Sequence, residues 1–214
     1  MMLSRPGPAL LLAALNIPLR FPSPAPVSEG NQISGDEILT RAREALLDSA
    51  GHELRIRWDY ASGEETWSGD GVLQILGEDY LKLILPGQRI LVKESTIMAW
   101  YRETDQVIVD FFDRRDPGNV FSLFLSGFDY FSPGEPAPLS DSTTAVTLRG
   151  KDPGGFHDVV LVVDNRTWLP LSLRVTGEEG YEVAVHVLRS GPLPDPRALR
   201  EDTLTGSDTV DLRR

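Results

Sequence analysis

Over residues 52–60, Leu54, Ile56, Trp58 and Tyr60 alternate with Glu53, Arg55, Arg57 and Asp59. Period two of this kind gives a strand with one apolar and one charged face. A different period precedes it. Ile38, Leu39, Ala42, Ala45 and Leu46 recur at helical spacing behind Ser34 and Glu37, which have the S-x-x-E spacing of a capping box. The pattern predicts a helix over 36–49, with Gly51 as its stop. After the first strand come further short runs, at 64–76, 80–85, 88–94, 96–102 and 106–112, with turns at Ser62-Gly63, Glu78-Asp79 and Pro86-Gly87. Gly69 and Gly71 inside the second run mark a bulge or a sharp bend. Leu81, Leu83 and Leu85 share one side of the third.

The meander is then interrupted. Asp116 can cap a helix with Pro117 in its first turn. Val120, Phe121, Phe124, Leu125 and Phe128 make the segment strongly apolar, and a short helix is expected over 117–126, ending at Gly127. A Pro- and Ser-rich loop follows at 132–142. Strands resume at 143–149, 156–164, 169–176 and 180–189, with turn residues at Asp164-Asn165 and Glu179-Gly180. The stretch 192–214 is rich in Pro and Asp. The expected fold class is α+β: a single curved antiparallel sheet of about ten strands, an unclosed barrel, with the N-terminal helix and the short apolar mid-chain helix covering its concave face.

Composition narrows the function. The chain has 214 residues, 41% hydrophobic and 25% charged, with a formal net charge of −11. That suits one domain with a sizeable core. The acidic balance repels phosphate backbones, which argues against a nucleic-acid ligand. Without cysteine there are no disulfides, no thiolate zinc sites and no lipobox cysteine to acylate. Behind Arg5, residues 9–19 form an apolar run that is too short to span a bilayer and fits the h-region of a signal peptide. Residues 1–30 are therefore expected to be a leader and linker, and 31–214 the folded domain.

Catalytic chemistry is sparse. His52, His157 and His186 have no local partner at metal-ligand or triad spacing, and read as surface or strand-edge residues. There is no G-x-S-x-G elbow, and Gly69-Asp70-Gly71 is not a dinucleotide fingerprint. The acidic pairs Glu64-Glu65, Glu78-Asp79, Glu178-Glu179 and Glu201-Asp202 fall in or beside turns. They would form a glycosidase pair only if two met in a cleft. The conspicuous chemistry is apolar: Phe111, Phe112, Phe121, Phe124, Phe128, Tyr130 and Phe131 crowd together, and Trp58, Trp67 and Trp100 lie on strands before or beside them. Such side chains fill a core or line a cavity, and periodicity does not separate the two.

Several segments together resemble the LolA/LolB carriers of outer-membrane lipoproteins. Leu54-Arg55-Ile56-Arg57-Trp58 resembles the family's first strand, and Gly69-Asp70-Gly71-Val72-Leu73-Gln74-Ile75 its G-x-G-x-L second strand. Asp79-Tyr80-Leu81-Lys82-Leu83 stands where the family has its third. Trp100-Tyr101 before Gln106-Val107, Asp116-Pro117-Gly118-Asn119-Val120-Phe121, and Thr209-Val210-Asp211-Leu212-Arg213 resemble later family segments. The likeness runs over roughly 36–214. The sequence departs from the pattern at Glu94-Ser95, where an Asp-Gly turn is usual, and at Ala99, where an aromatic is usual. Around Leu76-Gly77-Glu78 the family's lid-latching arginine has no match.

The resemblance implies a periplasmic carrier of the soluble subtype. It would bind acyl chains of lipoproteins or other lipids in an apolar cavity, work as a monomer without catalysis, metal or cofactor, and shuttle its cargo towards the outer membrane. Its partners would be an inner-membrane lipoprotein-releasing complex and an outer-membrane acceptor. The expected cavity wall is Leu54, Ile56, Trp58, Leu73, Ile75, Leu81, Leu83, Leu85, Met98, Trp100, Phe121, Phe124 and Phe128. The alternative is a binding module that senses lipid or lipoprotein and reports to a membrane regulator. An enzyme would need polar groups converging in the cavity, for which the sequence offers no candidate.

Overall fold

In the computed structural model, residues 33–116, 119–126, 128–151, 156, 158–177 and 180–213 are described. The expected leader lies outside them, as do Pro117, Gly127, His157 and Glu178-Glu179. The first helix, α1 (Gly35–Leu46), starts where the capping pattern places it. The Ser34 hydroxyl accepts from the Glu37 amide at 3.2 Å. The reciprocal half of the box is missing, because the Glu37 carboxylate turns instead to Arg41 one helical turn on. Ile38, Leu39, Ala42 and Leu46 bury the apolar stripe. Burial of each large side chain contributes roughly 1.5–3 kcal/mol, so the sheet beneath, rather than helix propensity, holds α1 in place.

Six strands follow as a meander: β1 (His52–Ser62), β2 (Glu65–Leu76), β3 (Tyr80–Leu85), β4 (Gln88–Lys93), β5 (Thr96–Tyr101) and β6 (Gln106–Phe111). After α2 (Val120–Ser126) come β7 (Phe131–Pro133), β8 (Ala137–Ser140), β9 (Thr143–Gly150), β10 (Asp158–Asp164), β11 (Pro170–Thr176) and β12 (Glu182–Pro192). The described residues end with α3 (Pro196–Glu201) and β13 (Asp208–Asp211). The strands form one sheet in the order β13-β6-β5-β4-β3-β2-β1-β12-β11-β10-β9-β7, with β8 also paired to β9. Its two ends do not join. An unclosed, mostly antiparallel sheet with α1 and α2 over its inner face is the expected architecture.

Several expectations need correction. The sheet is larger than the expected ten strands, because the stretch read as a loop supplies β7 and β8 and the C-terminal stretch supplies β13. β13 runs parallel to β6, the exception in an otherwise antiparallel sheet. α2 starts at Val120, with Asn119 in the capping role: its side-chain oxygen accepts from the Phe121 amide at 2.9 Å. Gly69 and Gly71 do not form a bulge, since the β1–β2 register runs unbroken through them. The irregularity lies instead at Arg55/Ile56, where β1 meets β12.

The inner face of the sheet carries the main core. Leu54, Ile56, Leu73, Ile75, Leu81 and Leu83 pack there with Ile38 and Leu46 of α1 and Leu123, Phe124 and Leu125 of α2. Phe128 buries its ring in the same core while its backbone sits at φ 72, a conformation costly for a bulky residue. The outer face carries a second, smaller core. The segment 193–207 crosses it, and Leu193 and Leu199 bury Leu76 and Leu91. Asp195 caps α3, and an ion pair between Lys82 and Asp202 ties the segment to β3.

Candidate functional site

The inner core is filled near the turn that carries Glu78 and opens near the turns that carry Gly63 and Gly87. At the open end, Trp58, Tyr60, Trp67, Leu83, Leu85, Gln88, Ile90 and Phe121 line a cavity of about 350 Å³. That is within the lower range of ligand pockets. Four strands and α2 supply the wall. Along β1 the alternation that buries Leu54 and Ile56 continues to Trp58 and Tyr60. Register then sets Trp67 of β2 opposite Tyr60, Ile90 of β4 opposite Leu83, and Gln88 opposite Leu85. Phe121, in the first turn of α2, stacks on Trp58 with ring centroids 6.3 Å apart.

The two glycines of β2 shape this wall. A Cβ on Gly69 would lie 2.9 Å from the Trp67 indole, and one on Gly71 would lie 2.6 Å from a Leu85 methyl. Such distances are too short for real contacts. The G-x-G spacing therefore provides the room that lets Trp67 and Leu85 lie flat along the strand. Trp67 still leaves 43% of its surface to solvent, although it is a large apolar side chain.

The expected wall residues fall into three groups. Trp58, Leu83, Leu85 and Phe121 do line the cavity. Leu54, Ile56, Leu73, Ile75, Leu81, Phe124 and Phe128 are fully or almost fully buried in the filled part of the same core. Met98 and Trp100 are on the opposite face. Met98 pairs with Leu91 and packs against the outer core. The Trp100 indole donates to Asp105 at 2.9 Å and lies under the Arg89 guanidinium. In β5 it is Ile97 and Ala99 that face the inner core. The sequence reading missed Tyr60, Trp67, Gln88 and Ile90. Tyr60 and Trp67 were legible as a facing pair two steps beyond Trp58. Gln88 carried no apolar signal to find it by.

The electrostatics of the cavity are plain. No lysine, arginine, aspartate or glutamate lines it. Among the described residues no group of His, Asp or Glu is placed to hold a metal ion. The displaced carboxyl pKa values belong to turns and the C-terminal segment. Asp105 is lowered chiefly by the Trp100 indole N–H and also by Ser207. Asp164 is lowered by the Thr167 and Arg166 amides, and Asp211, next to Arg213, falls to about 2. A larger cavity of about 530 Å³ lies on the outer face, between β4–β6 and the C-terminal segment. Its wall is charged, with Lys93, Glu94, Glu201, Asp202 and Arg213 around Met98, Val107, Val109 and Leu204. The inner cavity is smaller but better suited to an apolar ligand, because its wall is aromatic and aliphatic. No helix among the described residues is long and apolar enough to cross a membrane.

No family model and no curated protein matches the chain. Solved structures do. The chain is similar to an uncharacterized conserved protein from Thermus thermophilus, with a TM-score of 0.55 and 16% identity over 84% of this chain and 98% of that one. It is more loosely similar to a LolA superfamily protein from Nitrosomonas europaea, with a TM-score of 0.44 and 13% identity over 78% of this chain and 97% of that one. The MucA/MucB complex of Pseudomonas aeruginosa gives a TM-score of 0.43 and 14% identity over 78% and 61%. Likeness at such identities is one of fold and assigns no activity.

Proposed function

We propose that the protein is a periplasmic carrier that binds acyl chains of lipoproteins, or of other lipids, in the inner cavity and takes them towards the outer membrane. The observation that carries this reading is the aromatic, uncharged wall at the open end of an otherwise filled core. Each methylene moved from water into such a wall gains about 0.8 kcal/mol. A long chain therefore binds usefully even after the cost of ordering it is subtracted. Release needs no catalysis, only an acceptor with higher affinity. The reading assigns residues 1–30 to an export leader, 31–214 to the lipid-binding domain, and the partner roles to a membrane-embedded releasing complex and an outer-membrane acceptor.

Native mass spectrometry of the protein, recovered from the periplasm without detergent, tests the proposal. The expected result is co-purified acylated lipid, or uptake of a lipopeptide when one is offered. A clean apo mass with no uptake would mean that the aromatic wall is only the edge of a core. Uptake without transfer to acceptor vesicles would favour a sensing module over a carrier.

A further inference from the structure

The cavity is not wholly apolar. Gln88, Tyr60 and Trp67, which line it, carry an amide, a phenol and an indole N–H, and none of the three side chains has a hydrogen-bond partner among the described residues. All three sit close to the open end. Gln88 is the first residue of β4, and Tyr60 and Trp67 flank the β1–β2 turn. Leu83 and Ile90 lie deeper and are buried. An acyl chain entering past Trp67 would therefore pack its tail against Leu83 and Ile90 and leave its head among the three polar groups.

Those groups suit one kind of head. Gln88 and Trp67 are N–H donors, and each donor is neutral. A neutral carbonyl oxygen accepts from them at little desolvation cost. An ionised carboxylate would give up part of its hydration to neutral donors without gaining a cation, since no lysine or arginine lines the cavity. The net charge of −11 opposes it further. A plain hydrocarbon would leave the Gln88 amide facing an apolar ligand, which also costs free energy.

We infer that the cavity recognises a single ester- or amide-linked acyl chain, with Gln88 and Trp67 donating to its carbonyl oxygen and Tyr60 completing the polar rim, and that it discriminates against free fatty acids. The inference rests on the acyl-binding reading and deepens it. Its limited volume matches one chain better than several.

Displacement of a fluorescent acyl probe tests it, with a fatty acid methyl ester, the free acid and the alkane of equal chain length as competitors. The assay is run at alkaline pH, where the acid is ionised. The wild type is expected to prefer ester over acid by roughly tenfold or more, about the worth of one hydrogen bond and the missing counter-ion. Gln88→Leu is expected to weaken ester binding several-fold and to leave the alkane unchanged or tighter. Because Gln88 is half-buried at a strand start, this variant keeps the fold, and its unfolding midpoint checks that. Equal affinity of the wild type for ester and acid would overturn the inference while leaving the carrier reading intact. An unchanged ester affinity in Gln88→Leu would remove Gln88 from the recognition. Failure of every competitor and of the probe itself to bind would instead sink the acyl-binding reading.

Discussion

The closed and open ends of the inner face are built from the same strands and the same alternation, yet they end in different states. At the closed end Leu54, Ile56, Leu73, Ile75 and Leu81 meet α1 and α2 and lose essentially all their exposure. At the open end Trp58, Tyr60, Trp67 and Leu85 continue the same faces of β1, β2 and β3, but only Phe121 of α2 reaches them. The difference lies in the covering layer, not in the sheet. Two helices of 12 and 7 residues cannot roof strands of 11 and 12 residues along their whole length. What they leave uncovered is the proposed site. A filled wall contributes stability, whereas an unfilled one holds apolar surface in reserve for a ligand.

Substitutions should separate these two ends. Leu73→Ala, at the closed end, is expected to cost about 2–5 kcal/mol through lost burial and a residual cavity. Urea unfolding measures this, and acyl affinity of the folded protein should hardly change. Phe121→Ala removes the ring stacked on Trp58. Acyl affinity should fall roughly tenfold, with a stability loss smaller than that of Leu73→Ala. A larger stability loss than in Leu73→Ala would show that Phe121 belongs to the closed end after all. Gly69→Ala pushes the Trp67 indole off the strand, so binding should weaken several-fold; a crystal structure of the variant with Trp67 unmoved would refute that link.

Trp67→Ala sharpens the contrast. The side chain is substantially exposed, so stability should stay within about 0.5 kcal/mol while acyl affinity drops. The smallest effect belongs to Asp105, which lies on neither end. Its carboxylate accepts from the Trp100 indole and the Ser207 amide and so pins the segment before β13. Its pKa is below the ordinary value in the folded chain. The attachment is therefore fully in place above the ordinary carboxylate value and is lost as the pH falls through the lowered one. Asp105→Asn should speed amide exchange at Ser207 at neutral pH and leave acyl affinity untouched.

Much of this fold was legible in the sequence because alternation and turn residues are strong where one face is apolar and the other charged. β1 and β3 begin where the pattern places them, and β3 also ends there. Legibility failed where both faces are apolar. Ile90, Leu91 and Val92 of β4 are all buried, Leu91 on the outer face and its neighbours on the inner. The run Ile97-Met98-Ala99-Trp100 likewise has no polar member to fix its parity. A slip of one residue there reverses the face, as happened for Met98 and Trp100. The outer core was hidden for a related reason: Leu193, Leu199 and Leu204 are scattered through a Pro- and Asp-rich segment without period. Of the site, Trp58, Leu83, Leu85 and Phe121 could be read, since they are apolar at the right spacing. Nothing in the sequence distinguishes Phe121 at the cavity from Phe124 in the core three residues later, because the distinction depends on where the roof ends.

Four tryptophans, at positions 58, 67, 100 and 168, offer the most direct test of the central claim. Two variants would each keep one tryptophan, Trp67 at the cavity or Trp100 on the outer face, with phenylalanine at the other positions. Each is titrated with a lipid whose acyl chain is brominated, a quencher that acts only at short range. If the cavity takes the chain, fluorescence of the Trp67 protein is quenched on binding and that of the Trp100 protein is not. Quenching of Trp100 with Trp67 unaffected would place the chain on the outer face and contradict the account.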